Sequence, residues 1–331
     1  MNSEIDFVII WVDGDDAEWI AQKNKYLPED KRVAKSNLYR DWDNLQYWFR
    51  GIEKFTPWVN RVHFVTCGHL PSWLNVNHPK LNIVKHSDYI PNEYLPTFNS
   101  HCIELNLHRI KGLSERFVYF NDDMFVIDSM KPEEFFYNNL PCDSSIMSAL
   151  APSEKNDMFY HILANNLAVV NSNFEKSSVI KRNIKQWLNL KYGKLNLKNL
   201  YYLPIGKFTG FQNFHLPSSF LKSTFVEMWE KEHEILDKTS CNKFRTVNDV
   251  NQYIFSYWQM MNGKFNPRRS TIGKFFSISN DNMRLYNAIS NQTYKMVCIN
   301  DTADEINFEL EKEKIKKYFE YILPEKSEFE R

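Results

Sequence analysis

Apolar residues in the first part of the chain come in short runs separated by helical patterns. Ile5-Asp6-Phe7-Val8-Ile9-Ile10-Trp11-Val12 is a run of strand length that stops at the turn sequence Asp13-Gly14-Asp15-Asp16. Leu45, Trp48, Phe49, Ile52 and Phe55 recur at helical spacing, and Pro57 marks the end of that helix. Arg61 to Thr66 and Asn82 to Lys85 read as two further strands. A helix is expected from about Ser100 to Ile110, with Ser100 or Asn99 as its N-cap. Phe117-Val118-Tyr119-Phe120 is a fourth strand and ends in Asn121-Asp122-Asp123. Strand, helix and strand in alternation predict an α/β fold with an open, mostly parallel sheet.

From Pro132 to about Gly210 the pattern loosens. Leu167 to Val170 is read as a strand and Phe174 to Leu188 as a helix. The stretch from Lys191 to Lys207, rich in Lys, Asn and Tyr, reads as an exposed insertion. Helices are predicted near Ser218 to Leu236 and Val247 to Met261. Met296 to Ile299 is another strand, followed by polar Asn300-Asp301, and an amphipathic helix from Glu305 to Ile322 closes the pattern. The expected organisation is a single catalytic domain: a core over 1–130, an insertion over 131–210, and a helical part with a closing strand and helix over 211–331.

Composition narrows the class. A chain of 331 residues with 43% hydrophobic and 15% aromatic residues has material for a large core, and only 9 glycines argue against disorder. The 41 basic and 41 acidic side chains balance, so the chain as a whole advertises no polyanion-binding field and nucleic acid is not expected as a partner. Five scattered cysteines without a CxxC pair suggest neither a disulfide framework nor a zinc knuckle; they read as reduced, mostly buried thiols. The first strand begins without a basic leader, and no apolar stretch is long enough to span a bilayer, so a cytoplasmic protein is expected. There is no GxGxxG, P-loop, GxSxG or HExxH.

Candidate chemistry sits at strand ends. In an open α/β sheet, ligands bind outside the carboxyl ends of the strands. Three apolar strands here end in acids: Asp13, Asp122-Asp123 and Asp301. As parallel neighbours they would gather carboxylates at one edge, an arrangement that a divalent cation such as Mg²⁺ or Mn²⁺ compensates. Any one of them alone is explained as a turn or cap residue. Arg40-Asp41-Trp42-Asp43-Asn44 opens a helix, with Asp41 or Asp43 as the natural N-cap and Arg40 as a possible bidentate phosphate contact. His215, in an aromatic loop before a predicted helix, has the chemistry of a general base. Arg245 could stabilise phosphoryl charge. By spacing alone a surface or packed histidine and a solvated arginine are the better explanations of these two.

Four separated blocks resemble the Stealth proteins, polysaccharide phosphotransferases that include bacterial capsule enzymes and the enzyme that tags lysosomal proteins with N-acetylglucosamine-1-phosphate. The first is Ile5 to Gly14. The second runs from Arg40-Asp41-Trp42-Asp43-Asn44-Leu45 through Ile52 to Val59, Pro71 to Asn75, Leu95 to His101 with Glu104, and Leu107 to Ile110, to Tyr119-Phe120-Asn121-Asp122-Asp123. The third contains His215, Phe244-Arg245 and Asp249-Val250-Asn251. The fourth is Cys298-Ile299-Asn300-Asp301, with Leu323-Pro324-Glu325 and Phe329-Glu330 in the tail.

The resemblance implies a GT-A-like, Rossmann-like nucleotide-sugar core and transfer of hexose-1-phosphate from a UDP-sugar (UDP-hexose or UDP-N-acetylhexosamine) to a polysaccharide hydroxyl, with release of UMP. By matching position, Trp11, Asp13, Gly14, Arg40, Asp43, Asn44, Asn121 and Asp122 would bind the donor. Asp123 and Asp301 would hold the metal, His215 would be the base, and Arg245 would steady the transferred phosphate. Asn99, Ser100 and His101 would touch acceptor or donor sugar. Asp122 and Asp123 would point to opposite faces if their strand continued. The acceptor would be an oligosaccharide or a lipid-linked polysaccharide at the inner face of the cytoplasmic membrane. The competing readings are an ordinary metal-dependent glycosyltransferase that releases UDP and a non-catalytic glycan- or nucleotide-binding module.

Overall fold

The structure, a computed structural model, describes residues 4–28, 40–152, 154–155, 157–301 and 306–331. The chain runs β1 (Ile5–Ile10), α1 (Ala17–Tyr26), α2 (Leu45–Phe55), β2 (Val62–Thr66), β3 (Leu81–Lys85), α3 (Ser100–Leu105), β4 (Arg116–Phe120) and β5 (Met124–Val126). It continues through β6 (Phe136–Tyr137), β7 (Leu140–Asp143), α4 (Met158–Asn173), α5 (Lys176–Trp187) and α6 (Asn196–Tyr202) to β8 (Ser218–Leu221), α7 (Lys222–Lys231) and α8 (His233–Cys241). Last come α9 (Tyr253–Met261), β9 (Asn266–Pro267), β10 (Gly273–Ser277), α10 (Met283–Ser290), β11 (Met296–Asn300) and α11 (Phe308–Ile322).

The central sheet has the order β3-β2-β1-β4-β8, with the first four strands parallel and β8 antiparallel on β4. It is buried on both faces, as parallel sheets require. Alternation along β1 sends Phe7 and Ile9 into a core made with α2, α10 and α11, and Val8 into a second core made with α3, α7 and α9. A third cluster packs α4 and α5 against α9. Helix α2 lies so close to β5 that a Cβ at Gly51 would stand 2.6 Å from the Val126 carbonyl oxygen.

Several expectations change. Leu167 to Val170 is not a strand but lies within α4, whose buried Leu163, Asn166 and Val170 recur at helical spacing. Ser218 to Leu236 is not one helix: Ser218–Leu221 completes the sheet, and α7 and α8 follow. The expected helix from Ser100 stops at Leu105 and continues as a 3₁₀ turn over Leu107–Arg109, and the one expected from Val247 starts at Tyr253. Lys191 to Lys207 is structured, with a 3₁₀ segment at Leu190–Leu195 and then α6, and it buries Tyr192 and Asn199. The closing helix is described from Phe308, its expected start at Glu305 lying outside the described residues; Ile315, Phe319 and Ile322 turn into the core. None of the described helices is long and apolar enough to cross a membrane.

Candidate active site

The carboxyl ends of β1 and β4 lie side by side because these strands pair in parallel. Beyond β1, the Trp11 ring stacks on Phe64 at 5.7 Å and meets His69 edge-on at 5.1 Å. The Asp13 N–H donates to His69 Nε2 at 2.7 Å, and burial lowers the His69 pKa, in keeping with that acceptor role. Asp13 Oδ1 in turn accepts from the Asp15 N–H at 2.9 Å, closing the turn that contains Gly14.

β4 ends at Phe120, so Asn121, Asp122 and Asp123 form a turn into β5 rather than alternating along a continued strand. The Tyr119 hydroxyl lies 2.5 Å from Asn121 Oδ1 and 3.1 Å from Oε1 of buried Glu104. Asp122 is exposed at this turn; crowding by protein, then the adjacent Asp123 charge, push its pKa up to about 7. Asp123 Oδ2 accepts from the Cys298 thiol at 3.2 Å and lies 3.7 Å from His215 Nε2. Asp123 Oδ1 is buried with no hydrogen-bond partner. Burial, then the Asp123 charge, hold Cys298 well above the usual thiol range, so it stays a thiol.

His215 precedes a strand, not a helix, and sits at φ +49°, a left-handed backbone unusual for a side chain of this size. Its Nδ1 lies 2.7 Å from the hydroxyl of buried Tyr253, and its ring packs 5.7 Å from Phe275. The next residue, Leu216, presses against Gly273, where a Cβ would lie 2.7 Å from Leu216 Cδ1 and 2.9 Å from the Met296 carbonyl oxygen. The loop bearing His215 is thereby clamped to β10.

Asp301 reaches this edge by another route than expected. β11 is not a parallel neighbour of β1 and β4; it belongs to a small sheet of order β10-β11-β5 and pairs antiparallel with β5, the Ile299 N–H donating to the Asp123 carbonyl at 2.8 Å. The Asp301 carboxylate accepts from Arg40 Nη2 and Trp42 Nε1, each at 3.2 Å, and its Oδ2 forms an ion pair with the Arg40 guanidinium, 3.1 Å from Nε. Neither Asp41 nor Asp43 caps α2. Asn44 stands at that position without a side-chain cap bond, while Asp43, at φ +46°, binds Lys316 Nζ at 2.7 Å.

On the other side of the edge, Arg245 Nη2 donates to Ser100 Oγ at 2.7 Å. Asn99 and His101 are buried beneath, and Asn99 caps α3. Both donate to fully buried Asp249: Asn99 Nδ2 at 3.0 Å and His101 Nδ1 at 3.0 Å. Asn242 Nδ2 and Thr246 Oγ1 add contacts at 2.7 Å each. Burial alone would raise the Asp249 pKa, but these hydrogen bonds outweigh it and hold it below the ordinary value. Asn99 and His101 thus anchor the loop of Arg245, and of the three only Ser100 is partly exposed.

Among the described residues, Asp123, His215 and Cys298 bring ligand-type atoms within 4.8 Å of one another; Asp301 is outside that group. Tyr253, Glu104 and Cys298 were not singled out by residue type, because a tyrosine, an acid and a cysteine on apolar elements read as core. Asp249, Glu104 and Cys298 do lie inside the resembling blocks, which are the signal available for them.

Stealth protein conserved region 1 matches residues 3–31 and conserved region 2 matches residues 38–142. The capsular polysaccharide phosphotransferase WcwK of Streptococcus pneumoniae is 44% identical over 331 residues, spanning 99% of this chain and 98% of the relative. The exopolysaccharide phosphotransferase cps2G of Lactiplantibacillus plantarum is 39% identical over 330 residues, spanning 99% and 96%. Among solved structures, the galactosyltransferase LgtC, in complex with donor and acceptor sugar analogs, overlaps at a TM-score of 0.42 with 11% identity, covering 98% of each chain, too loosely to assign residues. With full-length relatives at this identity, the chain belongs to the Stealth family, among the capsular and exopolysaccharide phosphotransferases.

Proposed function

We propose that this enzyme transfers a hexose-1-phosphate from a UDP-sugar to a hydroxyl of a surface polysaccharide, forming a phosphodiester and releasing UMP. The observation that carries the reading is the meeting of His215 and Asp123 at the strand edge that also bears Asp13 and Asp122, with His215 Nε2 3.7 Å from Asp123 Oδ2. The whole chain works as one catalytic unit, since the donor edge comes from its first part and the base and arginine from its last. It acts in the cytoplasm and meets its acceptor at the inner face of the membrane.

The acceptor O–H loses its proton to His215 Nε2 as its oxygen attacks the β-phosphorus. The P–O bond to the UMP phosphate breaks and the electron pair leaves with UMP. Asp123 beside Nε2 favours the imidazolium that forms, and the Tyr253 hydroxyl accepts from its Nδ1–H. Arg245, held by Ser100 through one nitrogen, offers the rest of its guanidinium to the transferred phosphate. Trp11, Asp13, Gly14, Arg40, Asp43, Asn44, Asn121 and Asp122 flank the donor.

The residues present suit a divalent cation: Asp123 Oδ1 is buried and unpartnered, and the adjacent Asp122 is pushed up partly by a like charge. Asp123 would hold Mg²⁺ or Mn²⁺, with Asp122 and Asp301 the other carboxylates of the edge. Bound there, the ion would neutralise the diphosphate and the leaving nucleotide.

The test is identification of the nucleotide released from a panel of UDP-sugars with Mg²⁺ and a capsule-type oligosaccharide. UMP with a new phosphodiester phosphorus signal is expected; UDP would replace this reading with ordinary glycosyl transfer. His215→Ala should abolish transfer and leave donor binding intact, whereas Asp123→Ala should weaken metal-dependent donor binding. Full activity in His215→Ala would remove the base assignment.

A further inference from the structure

The balanced charge of the chain conceals a strong local asymmetry. From Lys176 to Val226 there are nine lysines and arginines and no aspartate or glutamate. Buried Lys176 spends its charge internally, donating to the Tyr202 and Ile205 carbonyls at 2.6 and 2.7 Å. Lys191, Lys194 and Lys198 are exposed.

The same segment presents large apolar side chains to solvent. Leu190 is 97% exposed, Leu197 68%, Leu200 50% and Tyr201 73%. Leu197, Leu200 and Tyr201 share one face of α6 by their three- and four-residue spacing. Leu190 is brought alongside, because Asn189 and Asn196 exchange hydrogen bonds: the Asn189 N–H donates to Asn196 Oδ1 at 3.1 Å, and Asn196 Nδ2 donates to the Asn189 carbonyl at 2.7 Å. The turn between them is made at Gly193, at φ +53°.

Aliphatic and tyrosine side chains standing clear of the surface and interleaved with lysines match an anionic lipid interface. A phosphodiester glycan would use the lysines but gain little from an aliphatic such as Leu190. We propose that Leu190, Leu197, Leu200 and Tyr201, with Lys191, Lys194 and Lys198, form a docking surface for an anionic membrane.

Its place in the fold suits that role. Lys198 Nζ donates to Gln212 Oε1 at 2.8 Å, three residues before His215, so the surface adjoins the loop that bears the proposed base. The amphipathic closing helix turns Ile315, Phe319 and Ile322 into the core, leaving Leu310 and Tyr321 exposed without a neighbouring lysine-only stretch, since acids are interleaved along it. The inference deepens the placement at the inner membrane face. Vesicle binding is read without turnover, so its failure leaves the transfer reaction standing.

The experiment is co-sedimentation of the full chain with phosphatidylcholine vesicles, with and without phosphatidylglycerol, at low and high salt. Binding only to the anionic vesicles, weakened by salt, is expected. The variants Leu190→Ser/Leu197→Ser/Tyr201→Ser and Lys191→Glu/Lys194→Glu should each lose about tenfold or more in vesicle affinity. Both should keep transfer to a soluble oligosaccharide acceptor, which also reports that they fold. No binding to anionic vesicles, or equal binding by both variants, overturns the proposal. Loss of affinity for a soluble phosphodiester polysaccharide with vesicle binding unchanged assigns the surface to glycan instead.

Discussion

At the residue scale, the site depends on side chains that hold others in place. The Tyr253 hydroxyl on His215 Nδ1 leaves Nε2 facing Asp123. Tyr253→Phe should therefore lower kcat about tenfold with the donor KM unchanged. Steady-state kinetics of Tyr253→Phe beside the unaltered protein will show it, and a raised donor KM with kcat unchanged would remove the positioning role. A second buried group governs acid stability. Asp6, fully buried on β1, takes His63 Nε2 at 3.1 Å, Asn60 Nδ2 at 2.8 Å and the Ser114 N–H at 2.8 Å. Burial alone would raise its pKa, but these donors outweigh it and hold it below its ordinary value of 3.8. A depressed carboxylate stabilises the fold above its unfolded pKa and loses that contribution as pH falls through the lower folded one. Stability should therefore fall as pH drops below 3.8, and Asp6→Asn should flatten that part of a urea-midpoint profile.

At the element scale, the approach of α2 to β5 fixes how the small sheet meets the large one. Since a Cβ at Gly51 would meet backbone, which cannot swing aside, Gly51→Ala forces the helix outward. A loss of about 1–3 kcal/mol is expected, read as a lower thermal midpoint. That sheet carries Cys298 and leads directly into Asp301, so donor affinity should fall with it. β8 is an element that sequence pattern misassigned, as it did part of α4: Ser218-Ser219-Phe220-Leu221 is too short to show a period and runs straight into α7, so only pairing with β4 makes it a strand.

At the scale of the whole molecule, the tail closes over α2. Arg50 Nε and Nη2 donate to the two carboxylate oxygens of Glu330, each at 2.8 Å, and Phe329 is buried against Phe49 at 5.2 Å. Phe329→Ala should cost about 3–5 kcal/mol, measured as a shifted denaturation midpoint. Glu330→Gln should leave Arg50 partly uncompensated and show a smaller shift in the same experiment.

Local pattern was enough for β1, β2, β4, α2 and the strand at Met296, because each buries most of its length, and for β3, of which only Val84 is buried. It also marked the acids at strand ends and, through the resembling blocks, His215 and Arg245. Pattern could not tell that β11 enters antiparallel to β5, that Arg40 and Trp42 take the Asp301 carboxylate, or that Asn99 and His101 serve Asp249 beneath the surface. Those outcomes depend on which residues far apart in the chain become neighbours. Residue types and spacing set which local structures and chemistries are available; pairing across tens to hundreds of residues decides which polar groups are buried together and which face the substrate.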